Sequence, residues 1–329
     1  MGQTETNVTL SSATGVSKAV PVDSGIDQGM AWHYGDPLRE QTYLEDGTGV
    51  VDLSNREVIR ITGSQRGAYL NLMATQQLDN LAPGETASTF FLDPKGHIIF
   101  FLALVADRAQ PVIWGWTEPG QARHLVDHLN SRKMRLDVRA ELAEDLAVVW
   151  SGPGFEQHLF RAGAPNCLGG RECFVPRAEL GAVMSSRRPV GLWAYTAARI
   201  AAGVPRFGFE TDHRSLPNEL GVPSPEVAIG KGCYPGQETV VKTHHRGMPP
   251  RRLVRLHLDG SQEPRFEART ELVAAEDGKA IGFAGSTAYH RQLGPIGLGL
   301  VTRGVADGAI VLAGGVPAKI EALNRSAAV

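Results

Sequence analysis

The shortness of its apolar stretches constrains this chain most. The longest uninterrupted run, Ile98 to Ala106, is nine residues. That suits a strand buried on both faces and falls well short of the roughly 20 residues of a membrane helix. Around it, 38 glycines and 20 prolines punctuate the sequence, which favours many short elements over one long helical array. With 329 residues, 42% of them hydrophobic, the chain can bury substantial cores in two or three domains. A net charge of −2 supplies no global attraction to nucleic acid.

Local patterns give the organisation. Thr86–Leu92 and Ile98–Val105 read as strands joined by the turn Asp93-Pro94-Lys95-Gly96. Ala122, Leu125, Val126 and Leu129 form a helical stripe over Gln121–Asn130, and Val190–Ala202 predicts a second helix stopped at Gly203. Strands and short helices alternate through residue 150, as in an α+β or mixed α/β domain. From Leu253 onward, alternating segments separated by glycines read as a small barrel or sandwich. We therefore expect a flexible leader over 1–24, a first α/β domain over 25–150, a second carrying the cysteine segment over 151–248, and a β-barrel over 249–329.

Three cysteines, Cys167, Cys173 and Cys233, argue against a disulfide framework and suit a reducing compartment. The first twenty residues lack a basic region followed by an apolar one, so a cytoplasmic location is expected, with no membrane association. Cys167 and Cys173 lie in a glycine-rich turn without a second ligand pair; they read as ordinary thiols, and no metal site is expected.

The chemistry concentrates in Gly230-Lys231-Gly232-Cys233-Tyr234-Pro235-Gly236-Gln237-Glu238. Glycines permit a tight turn, and Pro235 fits the first turn of a following helix. A thiol there would meet helix N–H groups and the Lys231 charge, both of which favour its anion. Cys233, Lys231, Gln237 and Glu238 are thus the candidate catalytic residues. A cationic stretch follows, with Lys242, His244, His245, Arg246, Arg251, Arg252, Arg255 and His257, and no carboxylate between Glu238 and Asp259. It reads as a solvated face or as a seat for an anionic group. Without interleaved aromatics or a nucleic-acid-reading motif, sequence-specific nucleic-acid binding is not expected.

Lys231-Gly232-Cys233-Tyr234-Pro235-Gly236-Gln237-Glu238 resembles the K-G-C-[YF]-x-G-Q-E motif of YgfZ-type folate-binding proteins, relatives of the glycine-cleavage T-protein. The resemblance runs from about Ala31 to Val316 through Val51-Asp52-Leu53-Ser54, Asp93-Pro94-Lys95-Gly96 and Ala280-Ile281-Gly282-Phe283-Ala284-Gly285-Ser286. It implies a T-protein-like three-domain ring, with two α/β modules and a C-terminal β-barrel around a channel for tetrahydrofolate or a derivative. It also implies support of iron–sulfur client enzymes, including those that modify transfer RNA, with Cys233 near the channel. Arg199, Lys95, Phe100, Phe101 and Tyr234 would contact the folate, and basic residues its anionic tail. This chain departs from the T-protein in carrying Phe100 and Phe101 where that protein has aspartates. Ala201 stands where a glutamate usually anchors the pterin, so Asp212 or Glu219 would have to replace it. Two other functions remain open: a tetrahydrofolate-dependent aminomethyltransferase or demethylase, and a non-enzymatic adaptor that binds protein or RNA through the basic patch. Whether the chain catalyses a reaction is not fixed by the resemblance.

Overall fold

The computed structural model describes residues 19–155, 160–162, 168–221, 224–261 and 267–323. Most of the expected leader, as well as Cys167, lies outside these residues. The described chain opens with the paired strands β1 (Val20–Pro21) and β2 (Ala31–His33), then α1 (Pro37–Glu45) and β3 (Gly49–Asp52). A second unit follows: β4 (Glu57–Thr62), α2 (Arg66–Met73), β5 (Thr86–Leu92), β6 (Ile98–Ala106), β7 (Ile113–Thr117), α3 (Ala122–Arg132) and β8 (Arg139–Leu142). The chain then returns as β9 (Leu146–Ser151), β10 (Phe160–Ala162), β11 (Arg171–Pro176), α4 (Leu180–Ser185), β12 (Arg188–Val190) and α5 (Leu192–Ala201). Helix α6 (Gln237–Arg246) leads into β13 (Arg251–Leu258), β14 (Thr270–Ala274), β15 (Ala280–His290), β16 (Gly294–Thr302), β17 (Ile310–Ala313) and β18 (Val316–Ala322).

Two five-stranded sheets result, ordered β10-β11-β9-β3-β12 and β5-β6-β7-β4-β8, with a closed barrel β13-β16-β15-β14-β17-β18. Strand pairing crosses the boundary expected at residue 150. β3 lies between β9 and β12, so residues 57–142 form a module inserted into the other one. Burial explains the interleaving. β3 reads Gly-Val-Val-Asp and is buried at every position, so it must be sandwiched within a sheet. The inserted sheet fills residues 57–142, and the partners of β3 come from beyond it.

The modules close into a ring through shared cores. Val51, Val148, Trp150 and Phe174 of the first sheet meet Val58, Ala103, Val105 and Trp116 of the second, with α1 and α5 contributing Leu44 and Tyr195. Phe90, Leu92 and Ile98 of the second sheet pack with Val240 of α6 and Leu253, Ile296, Leu298 and Leu300 of the barrel. The barrel returns to the first module where Gln41 and Trp193 both donate to the Tyr289 carbonyl. Each fully buried leucine or isoleucine in these cores contributes roughly 1.5–3 kcal/mol, so the ring is held mainly by apolar burial. This arrangement carries the α6 N-terminus onto the β5–β6 turn.

Candidate functional site

Cys233 is exposed, on a loop whose flanking Gly230 and Gly232 have open space where a side chain would stand. The loop's anchor is Lys231. Its side chain is buried and donates to the carbonyls of Asn71, Ala74 and Gln76 at 2.6, 2.7 and 2.8 Å. These acceptors end α2, where unpaired carbonyls and the helix dipole favour a cation. An ammonium has three donors, so none is left for the thiol. Burial draws the Lys231 pKa down to about 8, with Asp79 opposing. Gln237 closes the loop by donating from Nε2 to the Lys231 carbonyl at 3.1 Å.

Helix α6 starts at Gln237, two residues beyond Pro235, which the motif placed in its first turn. Gly236 is its N-cap, at φ +78°, which leaves Pro235 outside the helix. Gly236 is required by a close approach: a Cβ there would stand 2.6 Å from the Asp93 carbonyl oxygen. Opposite it, a Cβ on Gly96, also at positive φ, would stand 2.9 Å from the Thr239 Cβ. The Asp93–Gly96 turn and the cysteine motif, separate in sequence, are thus packed backbone against backbone. Asp93 rigidifies the turn by accepting from the Lys95 and His97 amides and pairing with His97 Nδ1. Lys95 is exposed on this turn, and Glu238 is exposed on α6. Tyr234 lies buried below the loop; its hydroxyl has no partner among the described residues, and burial pushes its pKa up to about 12.

The folate contacts expected from the sequence do not converge. Phe100 and Phe101 are consecutive in β6 and therefore face opposite sides. Phe100 packs against His128 of α3, and Phe101 against Phe90 and Trp116. Arg199 is buried and fully engaged, donating to the Val204 carbonyl, Glu210 and Ser286. Ser286, from the barrel segment that resembled the family, thus positions Arg199. Asp212 and Glu219 cannot replace the glutamate missing at Ala201, because Arg251 grips both. Burial pushes the Asp212 carboxyl up, but the Arg251 hydrogen bond overrides this and holds it far below the carboxylate range. Arg252 pairs with Asp307, and Arg255 with Glu321. The three arginines of the cationic stretch that lie on β13 are therefore internally neutralised.

A buried polar cluster at the module junction escaped the sequence reading. Glu172 accepts from Arg56, Tyr195 and the Trp116 indole at 3.0, 3.1 and 3.0 Å. Arg56 also lies 3.9 Å above the Trp116 ring. Beside it Arg206 pairs with Asp27 at 2.5 Å and Glu118 at 2.7 Å. Burial raises the Asp27 carboxyl, but Arg206 overcomes this and leaves it below its ordinary range. Residues spread from 27 to 206 form no local motif, which is why the sequence did not announce them. Phe101 connects this junction to the core beneath the cysteine loop, since it packs on the clusters containing Trp116 and Tyr234.

No protein-family model matches the chain. A mitochondrial iron–sulfur cluster assembly factor IBA57 homolog of Phaeosphaeria nodorum is 26% identical over 65% of this chain and 57% of its own length. An aminomethyltransferase of Streptomyces coelicolor is 25% identical over 92% of this chain and 91% of its own. The crystal structure of the glycine cleavage system aminomethyltransferase T from Bartonella henselae superposes with a TM-score of 0.75, covering 93% of both chains at 18% identity. The chain has the T-protein-like fold. In that fold it combines the mixed α/β modules with a closed six-stranded barrel. The match spans 57–65% of the length of the first three assembly factors, all named as mitochondrial proteins. Among the described residues no helix is long and apolar enough to cross a membrane.

Proposed function

We propose that this chain is a folate-binding accessory protein for iron–sulfur cluster assembly or repair, working through the Cys233 thiol. The observation that carries the reading is the mount of that thiol. Cys233 is exposed between open glycines, while Lys231, two residues before it, is fixed by three carbonyls. A fixed, accessible thiol can meet a sulfur, iron or one-carbon species without the entropy cost of ordering a loop. The names of the assembly-factor relatives support the iron–sulfur side, and transfer-RNA-modifying enzymes are the client class that the motif implies.

A reduced folate needs a carboxylate for its pterin donors, flat apolar faces for its rings and cations for its glutamate tail. The junction meets the first two of these needs. Glu172 is the carboxylate and Phe101, Trp116 and Tyr195 are the faces, while Arg56 and Arg206, paired with Glu172 and with Asp27 and Glu118, hold the carboxylates in place. A carboxylate offers about four acceptor sites; three donors occupy Glu172, leaving one on Oε2. Bound there, tetrahydrofolate would supply one-carbon chemistry, while the chain's residues orient it and exclude water. The cytoplasmic location belongs to this proposal too.

Two measurements test it. Cys233→Ala should fold normally yet fail to restore cluster-enzyme activity in a deletion strain; full restoration would remove the thiol's role. Formyl-tetrahydrofolate should quench tryptophan fluorescence, with affinity lowered about tenfold in Glu172→Gln through loss of a charged acceptor. Equal binding by that variant would remove the junction as its seat.

The Streptomyces match favours a second reading, a tetrahydrofolate-dependent aminomethyltransferase or demethylase, because it extends over 92% of this chain. Such an enzyme needs a proton acceptor near the folate, and the nearby Asp27 and Glu118 are both held by Arg206. Formation of methylene-tetrahydrofolate from an amine donor would establish this reading, and no turnover across a donor panel would exclude it.

A further inference from the structure

We infer that the outer face of α6, with the Asp93–Gly96 turn, is a docking ridge for an acidic face of a partner protein, with Cys233 at its edge. The inference rests on Cys233 as the working thiol and adds how a partner reaches it.

Among its ten residues α6 buries only Val240. Glu238, Lys242, His245 and Arg246 are exposed, and spacings of three and four place them along one side of a helix. The glycine-to-glycine contact seats exposed Lys95 at one end of this ridge. Arg303 marks the other end, donating to the Gly247 carbonyl at 2.6 Å. Arg214 stands beside the hairpin, since the neighbouring Ser215 carbonyl accepts the Ile98 amide at 2.9 Å. Among the described residues none of Lys95, Arg214, Lys242, Arg246 or Arg303 forms an ion pair.

The contrast with the adjoining barrel strand is the deciding point. There Arg251, Arg252 and Arg255 are each matched by a carboxylate. On the ridge five cations stand against Glu238 and against Asp93, which is already paired with His97, in a chain whose net charge is −2. Uncompensated charge of one sign steers a partner of the other sign. A protein fits this ridge better than RNA. Glu238 would repel a phosphate backbone but can pair with a partner's lysine. No Phe, Tyr or Trp ring is exposed along α6 for base stacking. Met248, just past the helix and 64% exposed, offers the apolar contact common at protein interfaces.

The test compares three full-length variants with the parent. The ridge variant carries Lys95→Glu, Lys242→Glu and Arg246→Glu. The control carries the same charge change at exposed Arg123→Glu, Arg135→Glu and Lys279→Glu. The third is Cys233→Ala. A fluorescent peptide of aspartates and glutamates is titrated by anisotropy, and rescue of cluster enzymes is measured in a deletion strain. The ridge variant should bind the peptide about tenfold more weakly and lose rescue. The control should keep both, and Cys233→Ala should keep peptide binding while losing rescue. Parent-like peptide binding by the ridge variant, or an equal loss in the control, would overturn the proposal. So would oligouridylate binding that is tighter than peptide binding and lost with the ridge. If Cys233→Ala rescues fully while the ridge variant still loses peptide binding, the thiol's role falls and the docking surface stands.

Discussion

Lys231 donates to three carbonyls that lie 155 to 160 residues earlier in sequence. Its position two residues before a thiol suggests electrostatic activation, yet the geometry makes it a mount for the loop. Replacing it with methionine would leave the three carbonyls unsatisfied at a buried helix end, at a cost of about 3 kcal/mol. Lys231→Arg should not rescue, because a planar guanidinium cannot converge on three carbonyls as a tetrahedral ammonium does. Hydrogen exchange after α2 and the urea midpoint would report both effects. The pH dependence has a definite sign. The folded pKa, near 8, lies below the ordinary 10.5, so between these values the unfolded chain binds more protons. Stability from this group therefore rises as pH goes from about 8 to about 10.5. Lys231→Met should lose that slope, and an unchanged slope would show that Lys231 does not titrate in this range.

At the level of elements, legibility followed how far a segment's polar residues serve its own surroundings. The α3 stripe was readable because Leu125 and Leu129 point to one core and the remaining face is wet. Helix α1 was not found, although Asp36 caps it by accepting the Arg39 amide at 3.0 Å. Its buried residues include Glu40 and Gln41. Glu40 accepts from Tyr34 and Gly191, and Gln41 joins Tyr289 and Arg291, so distant partners break the apolar period. The cysteine motif was legible as a turn before a helix, but its seat on the Asp93–Gly96 turn depends on two remote glycines. In β6, alternation should have separated Phe100 from Phe101; reading them as a pair of ligands missed this. The partner of Phe100, His128, gives a further prediction. Burial against the Phe91 and Phe100 rings, aided by Arg132, lowers its pKa from 6.5 to about 4. The unfolded imidazole binds protons more readily, so its contribution to stability is lost as pH falls from about 6.5 to about 4. Urea midpoints of His128→Phe should fall less over that window than those of the parent, and parallel curves would reject the assignment.

For the whole molecule, the question is whether the ring unfolds as one body. Residues 206–210 act as a strap between all three modules. Arg206 holds Asp27 beside the first module and Glu118 at the end of β7 in the second. Four residues on, Glu210 accepts from Arg199 of α5 and from the Ser286 amide of the barrel. The guanidinium bridges Asp27 to Glu118, and both carboxylates are largely buried. Arg206→Met keeps much of the side chain's volume but leaves two carboxylates without their cation, which costs about 3–5 kcal/mol. The penalty falls at the junction while each module keeps its own core. The parent should therefore melt in a single calorimetric transition, and Arg206→Met in two, with the junction indole of Trp116 reporting the first. Added salt should not restore the single transition, because a pair shielded from water is little screened. One transition, merely shifted downward, would mean that the shared apolar cores couple the modules and that Arg206 only adds to them.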